Sequence, residues 1–373
     1  MSHNTITVVA VALGAASLAC SETEGFGSGP GEGGDEGHGG GGEPDLCEWG
    51  ELATRREPST AAPGGLSVDN IPMMISFGFD DNGYVDGMAW ALDYLEGKRN
   101  RAGEGNACTF DDTQVRASFY ITSAYELSDQ WARAYDDGHE IGNHSHTHDP
   151  QTLPQNPSKE FWLNELSTCN DYLIDSCGVP ESRIIGFRTP FLSQCDATFE
   201  AVTDMGFTYD CSIEHYRVLG EDMYVWPYTL DGGPDPHSTF PAFVTGQYPG
   251  LWEMPVYDIF TDVAGGGTAT GFDYNMWANA KMTKSEFVQS LKWSLEHRLA
   301  TNRVPLLIGA HTDYYSADNA DANAASVASY EERRAAVEEF LDYALALHPD
   351  IRVVSYAQIL RWVRAPVGLD GAR

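Results

Sequence analysis

From Ser67 onward the sequence repeats one pattern, a short apolar run followed by an amphipathic stretch. The apolar runs are Ile71–Phe79, Val115–Thr122, His139–Ser145, Arg183–Pro190, Phe207–Ile213, Val304–Thr312 and Ile351–Tyr356. Between and after them lie Val85–Gly97, Ser128–Gly138, Ser158–Gly178, Cys195–Gly206, Lys284–Asn302, Glu331–Pro349 and Tyr356–Ala365. The runs are short enough for strands. Several of the stretches carry helix punctuation, with serine at the start (Ser128, Ser158) or glycine at the end. Strands joined through helices run parallel, because the crossover carries the chain back to the starting end of the sheet. One α/β domain of parallel βα units follows, and in a barrel of such units the chemistry sits at the C-terminal ends of the strands. Glu221–Gly271 breaks the alternation. It is rich in Pro, Gly and aromatic residues and reads as a long loop insertion over the active face.

Upstream, Ile6–Ala19 is an apolar run of fourteen residues. A bilayer span needs about 20, so the run fits a signal-peptide core, expected over residues 1–19. The "SLAC" that ends at Cys20 resembles a bacterial lipobox, although Ser17 holds its first position and no Lys or Arg precedes the run. Export is therefore expected, to the cell surface, the periplasm or the medium, with Cys20 a candidate lipid anchor. Residues 20–66 read as a flexible Gly-rich tether and 67–366 as the catalytic domain. A formal charge of −33 repels nucleic acid and anionic lipid headgroups. Membrane contact is left to Cys20 alone, and a monomer is expected. The other six cysteines suggest disulfides in an exported chain, with Cys47–Cys108, Cys169–Cys177 and Cys195–Cys211 the expected pairs.

Polar residues collect at the ends of the expected strands: Gly78–Asn82 ("GFDDN"), His144–Asp149 ("HSHTHD"), Arg188–Phe191 ("RTPF"), Tyr209–Ser212 ("YDCS") and Ala310–Asp313 ("AHTD"). Two histidines, His144 and His148, with a carboxylate from another strand would leave one coordination position open, as catalytic zinc sites do. Imidazole and carboxylate also suit other divalent metals. His146, between them, is expected to point away. A second Phe-Asp-Asp triplet, Phe110–Asp112, precedes a strand rather than ending one. Its aspartates are read as loop residues whose replacement changes little.

The ordered set resembles the polysaccharide deacetylases of carbohydrate esterase family 4, the NodB-homology domain. It is carried by Gly78-Phe79-Asp80-Asp81, His144 to His148, Arg188-Thr189-Pro190-Phe191, Asp210 and His311. "GKRNRAGEGNAC", "WPYTLD" (Trp226–Asp231), "GLWEMPV" (Gly250–Val256) and "NRVPLLIGAH" look like the arthropod-type chitin deacetylases. The glycine at 78, where the family has threonine, is expected to matter little. The cysteine pair that the arthropod group places between the second and third of these segments is missing here, which bears on the substrate cleft.

The resemblance implies a deformed (β/α)-barrel of about seven parallel strands with a long loop insertion. It implies Asp81, His144 and His148 as ligands of a divalent metal, Zn2+ or else Co2+ or another transition metal. Asp80 would be the base, oriented by Arg188. A bend must bring Asp80 and Asp81 into one site, because neighbours on a strand face opposite ways. The Phe191 N–H would hold the oxyanion, and His311 would be the acid kept charged by Asp210. Trp226, Tyr228, Trp252 and Tyr314 are candidate sugar contacts. The implied activity is removal of acetyl groups from N-acetylglucosamine units of chitin-like polysaccharides or oligosaccharides. The alternatives are an O-acetyl (xylan) esterase of the same fold and a non-catalytic carbohydrate-binding surface protein, which would lack a ligand or the base.

Overall fold

The computed structural model describes Cys47 and residues 52–149, 157–218, 221–236, 238, 244–261 and 267–371. The expected signal peptide, Cys20 and most of the tether lie outside the described residues.

Among the described residues, twelve strands form two sheets. The larger contains β1 (Met73–Asp80), β2 (Ser118–Ile121), β3 (Glu140–Asn143), β4 (Gly186–Phe187), β5 (Tyr209–Asp210), β7 (Tyr228–Thr229), β8 (Trp252–Glu253), β11 (Leu306–His311) and β12 (Ile351–Val353). Its order is β11-β1-β2-β3-β4-β5-β8-β7. Every pair from β11 to β8 is parallel, which makes seven parallel strands in a row, and β7 closes the row antiparallel. β11 takes one edge of β1. On the other edge β12 pairs with Met73–Ile75 and β2 with Gly78–Phe79, so the sheet splays and curls into a half-barrel. The smaller sheet joins β6 (Glu214–His215), β9 (Val256–Phe260) and β10 (Thr268–Thr270).

β1 is buried along all eight residues, as a central parallel strand must be. Its alternation assigns the faces. Met73, Ile75, Phe77 and Phe79 pack into the main core with α1 (Val85–Leu95) and α7 (Tyr330–Leu347), while Met74 packs with the aromatics of the barrel interior. By the same period Asp80 belongs to the inner face. Gly78 also lies on that face. A Cβ there would stand 3.0 Å from both Arg188 guanidinium nitrogens, so the glycine that seemed incidental makes room for Arg188.

The helices begin where capping residues stand. α3 (Lys159–Cys177) is capped by Ser158 and stopped by Gly178 in the left-handed region. α5 (Lys284–Ala300), α7 and α8 (Tyr356–Arg364) each open with a capping box, formed by Thr283/Glu286, Ser329/Glu332 and Ser355/Gln358. Ser128 is the first residue of α2 (Ser128–Asp136) rather than its cap, a role that falls to Leu127. α4 (Asp196–Asp204) and α6 (Ala320–Ala325) complete the set.

Three expectations need correction. Glu221–Gly271 is not simply loop, because β7 and β8 extend the larger sheet and β9 and β10 join β6 in the second one. Two-residue strands are too short to show a period. Of the three disulfides only Cys47–Cys108 forms, while Cys169, Cys177, Cys195 and Cys211 are buried thiols. Cys169 and Cys177 are eight residues apart on α3, about 12 Å of helix rise, too far to bridge. Cys195 instead caps α4 and Cys211 bonds the Phe187 carbonyl. Finally, Asp111 is a buried residue whose carboxylate holds Arg352 of β12 at 2.5 Å. Its triplet is a structural clasp.

Candidate metal centre and active site

β1 ends at Asp80, and the next two residues turn through the left-handed region, with φ 64° at Asp81 and 63° at Asn82. Non-glycine residues tolerate this where the side chain locks the bend. The buried Asn82 amide donates to the carbonyls of Phe79 (2.9 Å) and Tyr120 (3.0 Å) and accepts from the Thr312 hydroxyl (3.0 Å). The turn therefore brings both carboxylates to one mouth.

After β3 the chain bends twice, at Ser145 (φ 70°) and His148 (φ 50°), and the His148 N–H donates to the Ser145 hydroxyl. His144 Nδ1 donates to the Arg188 carbonyl at 2.7 Å, which leaves Nε2 as a lone pair facing the mouth. Its Nε2 is 3.7 Å from Asp81 Oδ1, and His148 Nε2 is 3.5 Å from the same oxygen. One ligand atom from each of Asp81, His144 and His148 lies within 4.8 Å of the others. Two imidazoles and a carboxylate, one imidazole fixed through its other nitrogen, are a fitting set for zinc or a similar divalent ion. Burial first, then the neighbouring His148, pushes the His144 pKa down to about 3, so the ring is unprotonated as a ligand must be. His146 points away, to the Ser123 hydroxyl at 2.9 Å.

Asp80 lies beside this cluster, Oδ2 3.9 Å from His144 Nε2, and its Oδ1 receives Arg188 Nη1 at 2.6 Å. Burial raises the Asp80 pKa and the Arg188 charge opposes it. Arg188 is itself fully buried, bonded to the carbonyls of Cys211 (3.0 Å) and Gly78 (3.2 Å) and stacked over Tyr120 at 4.3 Å. Phe191, in a left-handed bend at φ 57°, rests its exposed ring against His148, centroids 4.3 Å apart.

His311 ends β11 beside β1, level with Asp80. Its partner is not Asp210. Asp273 receives both His311 Nδ1 at 2.7 Å and the His311 N–H at 3.0 Å. Burial alone would depress the ring. The Asp273 carboxylate, with Asp81 and Asp80 beyond it, outweighs that and raises its pKa to about 10. Phe272 bridges to Gly309 of β11 in parallel, which delivers Asp273 to the end of that strand. A signal was present, since Gly271-Phe272-Asp273-Tyr274-Asn275 nearly repeats the spelling of Gly78–Asn82. Asp210 instead accepts from the Ser212 N–H and hydroxyl, both at 2.8 Å, and pairs across β5–β8 with Glu253. Burial pushes Asp210 up to about 6 and raises Glu253 well above the usual carboxylate range, and the two carboxyls bond to each other.

Two further residues escaped the sequence reading. The buried Asp313 accepts the Gly83 N–H at 2.8 Å, and burial and the Asp81 charge raise its pKa to about 7. Thr122 offers its hydroxyl to Asp81 at 3.3 Å. Of the expected sugar contacts, Tyr314 is at the mouth, 5.8 Å from the His311 ring. Trp226, Tyr228 and Trp252 are not. All three are buried, Trp226 against Trp362 and Tyr228 beside His215. Aromatics in a loop-like stretch suggested a cleft wall, but that stretch folds into sheet and buries them.

The family profile for polysaccharide deacetylases matches residues 106–209. Chitin deacetylase 8 of Bombyx mori is 25% identical over 325 residues, covering 87% of this chain and 78% of the relative. Chitin deacetylase 1 of the same species is 22% identical and is covered over 54% of its length, about half. A crystal structure from Mycobacterium smegmatis bearing the polysaccharide deacetylase name superposes with a TM-score of 0.53 at 18% identity, over 83% of this chain and 96% of that one. These matches support a polysaccharide deacetylase of carbohydrate esterase family 4 close to the arthropod chitin deacetylase group. The profile match contains the clasp triplet at 110–112 and leaves Asp80 and Asp81 outside. The geometry alone joins Asp81 to the two histidines.

Proposed function

We propose that the protein is an exported, metal-dependent N-deacetylase that releases acetate from N-acetylglucosamine units of a chitin-like polysaccharide or oligosaccharide. The observation that carries this reading is the Asp81–His144–His148 cluster with a buried, arginine-held carboxylate on one side and a carboxylate-held histidine on the other. Bound there, a divalent ion would supply Lewis acidity to the acetyl carbonyl and acidify water. Asp80, fixed by Arg188, takes the proton from the attacking water. The Phe191 N–H donates to the oxygen that becomes negative in the tetrahedral transition state. His311, raised to about 10, is protonated at neutral pH and delivers its proton to the leaving amine. A charged acid suits an amine leaving group, which departs poorly unless protonated. The Cys47–Cys108 disulfide supports an oxidising compartment.

The test is acetate release by purified protein from chitooligosaccharides, peptidoglycan fragments and acetylated xylan, with and without a chelator. Chelator-sensitive release from the amino sugars is expected. Release from xylan alone would make the protein an ester hydrolase, and binding without release would make it a lectin.

A further inference from the structure

Arg188 holds Asp80 from inside the half-barrel, and its own anchorage is only partly made of hydrogen bonds. Nε and Nη1 donate to the Cys211 and Gly78 carbonyls and to Asp80, while Nη2 meets no acceptor among the described residues. A buried guanidinium nitrogen without an acceptor is costly unless something else compensates its charge. Three rings surround the group. Its central carbon lies over Tyr120 at 4.3 Å and over Phe272 and Tyr356 at 5.2 Å each. A ring attracts a cation most strongly where water is excluded.

Tyr120, the nearest of the three, is itself fixed. Its hydroxyl meets that of Tyr209 at 2.8 Å, and Tyr209 donates to Glu140 Oε1 at 2.7 Å. With the Tyr209 proton committed to Glu140, the Tyr209 oxygen accepts from Tyr120. The other Glu140 oxygen takes the Ser118 hydroxyl at 2.6 Å and the Ala357 N–H at 2.9 Å. Glu140 opens β3 and Asp80 closes β1, so the column crosses the inner face of the parallel sheet from strand starts to strand ends. The sheet leaves room for it. A Cβ at Gly142 would stand 2.6 Å from the Tyr120 ring, and one at Gly186 would stand 2.2 Å from Tyr209. Tyr120, Tyr209 and Glu140 are all buried. Apolar residues would fill the same space without taking a carboxyl group out of water.

We propose that Tyr120 is a positioning residue for Arg188, and that Tyr209 and Glu140 hold its ring in place. The ring fixes the plane of the guanidinium, so that Nη1 stays on Asp80 Oδ1. Without it the guanidinium could turn Nη2 onto a carbonyl or onto Asp80 and carry the carboxylate out of line with the metal centre. The inference rests on the deacetylase reading above and adds buried residues that act through Arg188 alone.

The experiment measures kcat and KM for a chitin tetramer, together with zinc content, in wild type, Tyr120→Leu, Tyr120→Phe and Tyr209→Phe. Tyr120→Leu should lower kcat roughly tenfold to thirtyfold with KM and zinc content near wild type. Tyr120→Phe keeps the ring and should recover most of that loss. Tyr209→Phe frees the ring and should lower kcat about threefold. Wild-type kcat in folded, zinc-loaded Tyr120→Leu protein would overturn the proposal, as would equal losses in the two Tyr120 variants. Should Tyr120→Leu not fold, Tyr209→Phe decides, and an unchanged kcat there overturns it. A second arm follows by NMR the Arg188 guanidinium signals, which the neighbouring ring shifts. They should move in Tyr120→Leu and stay near their place in Tyr120→Phe. If wild type released no acetate but the signals moved in this way, the deacetylase reading would fall and the positioning would stand. Signals unmoved in Tyr120→Leu would sink the positioning whatever the activity.

Discussion

Asp80 leaves β1 into a bond with Arg188, while Asp81, one residue later, is turned by a left-handed backbone toward His144 and His148. Replacing each should therefore fail differently. Asp80→Asn is expected to lower acetate release by about 10³-fold or more with the metal retained. Asp81→Ala is expected to lose the metal. Metal content by mass spectrometry beside an acetate assay separates the two. Asp273→Asn removes the anion that holds His311 protonated, so the His311 pKa falls from about 10 toward its ordinary value. The acid form is then lost at lower pH, and the alkaline limb of the pH–rate profile should move acidward while the acid limb stays. An unmoved alkaline limb would mean that His311 is not the titrating acid. The candidates Asp80, Asp81, His144, His148, Arg188 and His311 do come together at one mouth, because each stands at or just past the end of an apolar run. Sequence reading missed Asp273, whose strand-end position is created by one isolated bridge to Gly309.

At the scale of elements, the long strands and capped helices were legible, since a run of apolar residues and a capping box are local facts. The two-residue strands β7 and β8 were not, and with them went the environment of Trp226, Tyr228 and Trp252. The second triplet shows the same division. Thr109 and the Asn106 N–H turn the Asp111 carboxylate toward Arg352, clasping the loop before β2 to β12. Asp111→Asn leaves a buried guanidinium without its counter-charge and should cost about 3 kcal/mol of stability by urea unfolding. At low temperature it should leave metal content and turnover near wild type. Loss of turnover in a fully folded Asp111→Asn protein would return that triplet to the chemistry.

Across the whole molecule, the core carries groups whose charge folding suppresses. His139 is buried and accepts the Ala117 N–H on Nδ1, a bond only the neutral ring can make. Burial, with Arg116 and Arg133 behind it, lowers its pKa to about 3. The unfolded ring titrates near 6.5, so between there and 3 the unfolded chain binds more protons and stability falls as pH falls, by at most ~1.4 kcal/mol per unit. His139→Gln can accept the same N–H without titrating. Its stability relative to wild type should improve steadily below pH 6.5, measured by urea unfolding across pH. A constant difference would show that His139 does not titrate on unfolding.

The sequence by itself determined the parallel βα order, most of the helix caps and the placing of Asp80, Asp81, His144 and His148 at or just past strand ends. These follow from periodicity and from where a residue stands along its own strand. Only the tertiary structure decided which carboxylate holds His311, which cysteines pair, why residue 78 is glycine and which aromatics face water. Each depends on residues far apart in sequence meeting across the curled sheet, and no local pattern records that meeting.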